Sequence, residues 1–167
     1  MDLDILYGIS TTYNKMNLSK SFTLNELTKS QEALRLGIDN TPNDEHIENL
    51  KILCENILQP IRDFYGMPVS VSSGYRSAEL CKAIGSSSTS QHTRGEAADF
   101  EIFGVANKTL AEFIVANLDF DQCILEFWNI NEPNSGWVHC SFSKKYNRKQ
   151  YLKAEKVDGK IVYSPMF

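Results

Sequence analysis

Apolar and polar positions alternate along this chain in two distinct periods, and the switch between them divides it. From Glu45 to Tyr65 the apolar residues Ile47, Leu50, Leu53, Cys54, Ile57, Leu58, Ile61 and Phe64 recur at the spacing of a helix with one buried face. Pro60 lies inside this stripe and predicts a kink or a division there. Upstream, Thr23 with Glu26 three residues later forms a capping box, so a short helix is expected from Thr23, with Phe22 placed to staple onto Leu27. Gln31–Leu36 predicts a second helix stopped by Gly37, and the turn Asn40–Asp44 caps the long one. Residues 1–21 form an N-terminal extension, with Asn17–Ser21 as a turn before Phe22.

The period then shortens to two. Val69–Ser73 alternates like a strand with one buried face, Ala78–Ile84 gives one or two helical turns, and Glu96–Ile102 predicts a second strand. Asn107–Leu118 has the pattern of a helix packed on a sheet, and Gln122–Phe127 and Trp137–Phe142 predict strands three and four around the turn-rich segment Asn129–Gly136. Gln150–Lys156 and Lys160–Tyr163 flank Asp158-Gly159, a strong hairpin signal. Helices first and hairpin-joined strands later predict an α+β fold with helices on one side of a mainly antiparallel sheet. There is no internal repeat and no interdomain linker, so one domain over residues 1–167 is expected.

Composition narrows the function. Seventeen basic against 21 acidic side chains give a net charge of −4, which supplies no attraction to nucleic acid or anionic lipid. The longest apolar runs, Phe113–Leu118 and Cys123–Trp128, are far shorter than a membrane span. Met1-Asp2-Leu3-Asp4 carries acid where a secretory signal carries Lys or Arg, so synthesis in the cytoplasm without a signal peptide is expected. Cys54, Cys81, Cys123 and Cys140 are spaced as small buried hydrophobes rather than as a disulfide framework.

Two of the three histidines share elements with carboxylates. His92 precedes Asp99 by seven residues, and His139 follows Glu126 by thirteen. Two imidazoles and one carboxylate, with a position left open, form a common ligand set for catalytic zinc, and His92, Asp99 and His139 can supply it. If strands three and four pair around Glu132-Pro133, Glu126 lies opposite His139, and Gln122 and Ser141 share that face. Leu125, Val138 and Cys140 then point to the core. Arg76 follows a strand end in Ser73-Gly74-Tyr75-Arg76-Ser77, where its guanidinium can hold a carboxylate or a developing oxyanion, or serve only as an ion-pair partner. His46, in the first turn of the long helix, is expected to be structural or solvent-facing, and Tyr75 and Trp137, aromatic residues that could line a substrate groove, to pack under the loop by default.

Ser72–Ser77, Ser90–Phe100 and Trp137–Ser141 together resemble the signatures of the zinc D-Ala-D-Ala carboxypeptidase family. Its S-x-H-x-x-G-x-A-x-D element is present as Ser90, His92, Gly95, Ala97 and Asp99. Phe22–Glu26, Leu58–Arg62 and Asp121–Phe127 resemble segments of a peptidoglycan-peptidase branch that includes phage endolysins, so the likeness spans roughly residues 20–155. It implies a hedgehog-like α+β fold and one Zn2+ per chain on His92, Asp99 and His139. Ser90 supports the first ligand, and Arg76, Ser90 and Gln122 meet the substrate. Family members often place a Glu or Asp three residues before the last His; here that position is Gly136. The general base then falls to Glu126, with Glu132 as second choice.

The implied activity is metal-assisted hydrolysis of peptide bonds in a peptidoglycan stem or cross-bridge, by a carboxypeptidase or endopeptidase. A monomeric bacteriophage-type lysis or virion-associated enzyme, reaching the cell wall after release, is the expected setting. Two alternatives stay open: a non-catalytic, zinc-stabilised wall-binding module, and a cytoplasmic D,D-dipeptidase.

Overall fold

The computed structural model describes residues 13 and 15–166. Asn17 bridges to Thr23, and the Leu18 amide bonds the Phe22 carbonyl, closing the expected turn. The part of the N-terminal extension before Tyr13 lies outside the described residues.

Helix α1 (Leu24–Thr28) begins where the capping box places it. The Glu26 amide donates to Thr23 Oγ1 and the Thr23 amide donates to Glu26 Oε2 at 2.8 Å, an arrangement worth about 1 kcal/mol. α2 (Gln31–Leu36) is capped by Ser30 and ended by Gly37. α3 (Asp44–Leu53) is capped by the Asn43 side chain. A π-helical turn, Cys54–Leu58, joins it to α4 (Gln59–Tyr65).

The π turn is how the chain meets Pro60. Proline has no N–H to give, and its ring crowds the carbonyl four residues back. Widening the preceding turn, with the Gln59 amide bonding the Cys54 carbonyl, divides the helical run just before that position. The extra residue also advances the buried stripe by one place. Leu50, Leu53, Cys54, Ile57, Leu58 and Ile61 are fully buried, each contributing about 2 kcal/mol, but Tyr65 packs on the core where Phe64 was expected. Phe64 is exposed and stacks on Phe113, ring centroids 4.2 Å apart.

The sheet has six strands: β1 (Ser70–Ser73), β2 (Ala97–Glu101), β3 (Gln122–Glu126), β4 (Trp137–Ser141), β5 (Gln150–Val157) and β6 (Lys160–Pro165), in spatial order β1-β2-β4-β3-β5-β6. Four of the five pairings are antiparallel, as the α+β expectation requires, and β3 with β5 is parallel. α5 (Ala78–Ala83) follows β1, and α6 (Asn107–Asn117) packs on β3 and β4. β5 and β6 close through Asp158 and Gly159, both at positive φ, as a two-residue hairpin turn of the I′ kind needs. The parallel pairing is pinned at its start. Asp121, 2% exposed, accepts from the Arg148 amide at 3.0 Å and from Arg148 Nε at 2.8 Å, while its carbonyl accepts from the Gln150 amide.

Alternation sorts the central strands into two faces. Ala98, Phe100, Cys123, Leu125, Val138 and Cys140 point to the core under the helices. All four cysteines are buried and free, as expected of small hydrophobes. The other face carries Asp99, His139 and Glu126.

Candidate metal centre and its cleft

Register alone brings two of the expected ligands together. β2 and β4 pair with Asp99 directly opposite His139, and His139 Nδ1 lies 2.9 Å from Asp99 Oδ1. His92 arrives from a 3₁₀ turn, Gln91–Arg94, just before β2. Ser90 Oγ accepts the His92 amide at the start of the turn, and Gly95 ends it at φ +71. A side chain at Gly95 would overlap the His46 carbonyl of α3, and Asn49 of the same helix donates to the Arg94 carbonyl at 2.8 Å, so the turn is held against α3. His46 itself packs its ring on Tyr75, 5.1 Å away, outside the cleft.

The His92 ring is oriented from behind. Its Nδ1 is 2.6 Å from the Gly74 carbonyl, which can only accept, so the proton belongs on Nδ1 and the lone pair on Nε2. That lone pair faces Asp99 Oδ1 and His139 Nδ1, each 3.3 Å away. All three residues are buried, at 1%, 8% and 8% exposure for His92, Asp99 and His139. An imidazole lone pair and a carboxylate oxygen repel unless a proton or cation stands between them. Zinc bonds of 2.0–2.2 Å at tetrahedral angles put neighbouring donors about 3.4 Å apart, close to the spacing seen here. The donor set and its spacing therefore fit a zinc-like cation.

Electrostatics agree. Burial works to raise the Asp99 carboxyl, but the two histidines beside it outweigh this and hold it well below the usual carboxylate range. Burial lowers His92, against the pull of Asp99, so the neutral imidazole a metal needs is favoured. Arg76 Nη2 lies 3.3 Å from Asp99 Oδ2, the oxygen turned away from the cluster. The ion-pair reading of Arg76 is thus the contact the structure displays, while its Nε is buried without a partner.

The hairpin register differs from expectation by two residues. Ile124, not Glu126, lies opposite His139, and Glu126 pairs with Trp137. The cause lies where the strands part. Phe127 turns to positive φ and gives its amide to the Ala154 carbonyl of β5, and Gly136 re-enters at φ +66. A shift of two keeps the face, so Glu126 remains a diagonal neighbour of His139, within reach for a long side chain. Gly136 also accounts for the missing carboxylate at that position: any Cβ there would overlap the Glu126 carbonyl oxygen. The backbone that carries Glu126 occupies the space a side chain at 136 would need.

The cluster opens into a cleft of about 970 Å³. Among the described residues lining it the carboxylates are Asp99 and Glu126. Burial raises the Glu126 carboxyl above its ordinary value, with Asp99 adding to the rise and His139 and Arg76 opposing it. Glu132, the second choice for a base, sits in the exposed loop and does not line the cleft. Ser90 and Gln122 do line it, Ser90 as cap of the His92 turn and Gln122 donating to Gln150 Oε1 at 2.8 Å.

Several lining residues were absent from the sequence-based site, among them Trp137, Ile161 and Tyr163. Trp137 borders the cleft with its indole N–H buried and unpartnered, and Ile161 and Tyr163 reach it from β6. Pairing Trp137 with Glu126 would have singled out the first. Nothing local marks the other two, because the parallel β3–β5 contact puts them there.

Residues 20–141 match the family described as Peptidase M15. A search of curated proteins finds no match. The matched span holds His92, Asp99, His139, Arg76 and Glu126 and stops short of the β5–β6 hairpin.

Proposed function

We propose, from the premise that this chain belongs to the Peptidase M15 family of zinc-dependent metallopeptidases, that it hydrolyses peptide bonds of bacterial peptidoglycan at this cleft. The carrying observation is the convergence of His92 Nε2, Asp99 Oδ1 and His139 Nδ1 beside a cleft whose other carboxylate is Glu126.

In this reading His92, Asp99 and His139 hold one zinc ion. When bound, zinc supplies Lewis-acid polarisation of the scissile carbonyl and makes water more acidic. Glu126 takes the proton from the attacking water and returns it to the leaving amine. Arg76 holds the Asp99 carboxylate in place through Oδ2, and its remaining guanidinium N–H groups meet the substrate carbonyl or terminal carboxylate. Ser90 holds the His92 turn, and Gln122 lines the path of the peptide. The same proposal places the enzyme on the wall, as a lysis or virion-associated peptidase.

The test pairs metal content with chemistry. Wild type is expected to bind one zinc per chain and to release free amino groups from purified peptidoglycan. His139→Ala loses both, and Glu126→Gln keeps the metal while hydrolysis falls about 100-fold or more. Zinc bound with no amino groups released from any wall type would replace the peptidase with a wall-binding module. No zinc at all would remove the reading of the site.

A further inference from the structure

The family match ends at Ser141, and residues 150–165 then form a hairpin that the three-donor cluster does not need. Its position is specific. β5 runs parallel to β3 with Ala154 beside Glu126, and β6 pairs antiparallel with Tyr163 opposite Ala154. At one level the sheet therefore reads Trp137, Glu126, Ala154, Tyr163 across β4, β3, β5 and β6. Residues at one level share a face.

Adjacent strands lie about 4.8 Å apart, so Glu126 and Tyr163 start about 10 Å from one another across Ala154. Ala154 offers only a methyl group, is fully buried, and leaves room above it for two long side chains to approach. Both residues line the cleft, as do Leu152 and Ile161 from the same hairpin face. The phenol of Tyr163 is raised by burial and then by the nearby charges of Glu126 and Asp99, in keeping with this placement. Ile161 and Tyr163 nonetheless remain about half exposed, at 53% and 54%. The lining also includes Ser86, Ser87, Thr89 and Ser90 and the guanidinium groups of Arg76, Arg94 and Arg148. The hairpin adds hydrocarbon and aromatic surface to this cleft, with Ala154 seated beside Glu126.

We propose that the β5–β6 hairpin is a substrate subsite, in which Tyr163, Ile161 and Leu152 form an apolar wall beside Glu126 that receives an uncharged, apolar side chain of the peptide next to the scissile bond. A carboxylate bound there would face Glu126 and Asp99, whereas a methyl or larger alkyl group covers apolar surface otherwise left in water. The subsite rests on the peptidase reading for its substrate, and on the sheet register for its place.

The experiment uses the zinc-loaded full chain and purified peptidoglycan as wild type, Ile161→Ser, Tyr163→Ala and Tyr163→Phe. Ile161→Ser and Tyr163→Ala should each raise the apparent KM about tenfold, with the loss falling on KM rather than kcat and with zinc content intact. Tyr163→Phe should keep the wild-type KM, since the ring and not the hydroxyl makes the wall. An unchanged KM in the first two variants, or a loss in Tyr163→Phe as large as in Tyr163→Ala, overturns the proposal. If wild type releases no amino groups, the peptidase reading fails by itself, and co-sedimentation with peptidoglycan decides the subsite. Wild type sedimenting while Ile161→Ser and Tyr163→Ala stay in solution supports it. Equal sedimentation, or none, overturns it.

Discussion

The two faces of strands β2, β3 and β4 are built from alternate residues of the same segments, yet they do opposite things. One face, with Ala98, Phe100, Cys123, Leu125, Val138 and Cys140, is buried under the helices and is apolar throughout. The other, one residue out of step, gathers Asp99, His139 and Glu126 around a cleft. The apolar face gains free energy by leaving water. The polar face gathers groups that burial penalises; Asp99 and His139 persist because they partner each other together with His92 and Arg76, and Glu126 is only half-buried. Stability should therefore reside on one face and metal chemistry on the other, with a single-residue step separating the two.

The largest effect expected is a double dissociation along that step. Leu125→Ala removes a core side chain and should cost about 3 kcal/mol in urea denaturation, while the folded protein still binds one metal ion. His139→Ala, on the neighbouring strand but the other face, should lose the metal and reduce hydrolysis to background, while costing the metal-free protein less than Leu125→Ala does, about 1 kcal/mol for the Asp99 partner it removes. Elemental analysis beside the denaturation curves reads both. A metal site lost in folded Leu125→Ala, or kept in His139→Ala, would break the comparison.

Next in size is Gly136→Ala, which places a Cβ against the Glu126 carbonyl at a positive φ and should destabilise by about 1–3 kcal/mol. Activity should fall further than metal content, because the strain acts on the backbone beneath Glu126. For the same reason Gly136→Glu should not restore hydrolysis to Glu126→Gln. Recovery in that double variant would show that a carboxylate fits at 136 after all.

What could be read from the chain and what could not divides along the same physical line. The capping box at Thr23, the stop at Gly37, the capping turn Asn40–Asp44, the strand positions and the Asp158-Gly159 turn are set by residues within a few places of each other, and they stand where the pattern puts them. The His92, Asp99 and His139 cluster was legible because a buried polar residue in an apolar strand needs a partner, and few were on offer. The β3–β4 register, off by two, depends on Phe127 and Gly136 adopting positive φ, and a turn-rich loop does not announce that. The parallel β3–β5 pairing depends on the Asp121–Arg148 contact across 27 residues, and the apolar wall of the cleft follows from it. Phe64 fell off the core stripe because a π turn adds a residue that a strict 3.6 period cannot foresee.

The smallest effect expected tests whether the polar face costs stability. Glu126 is raised by burial first, so its charge is less welcome in the folded chain than in the unfolded one. For an acid the sign is then fixed. Below the unfolded value of about 4.3 the group is neutral in both states and costs nothing; the penalty sets in as pH rises through that unfolded value, grows until the folded value is passed, and stays constant above it. Glu126→Gln removes that ionisation. In metal-free protein it should be slightly more stable than wild type at pH 7, with the difference vanishing by about pH 4. Added zinc should shrink the gain at pH 7, because a cation beside Glu126 favours the carboxylate. Urea denaturation at the two pH values, with and without zinc, measures this, and a Gln variant less stable than wild type at pH 7 would mean that Glu126 supports the fold rather than being tolerated by it.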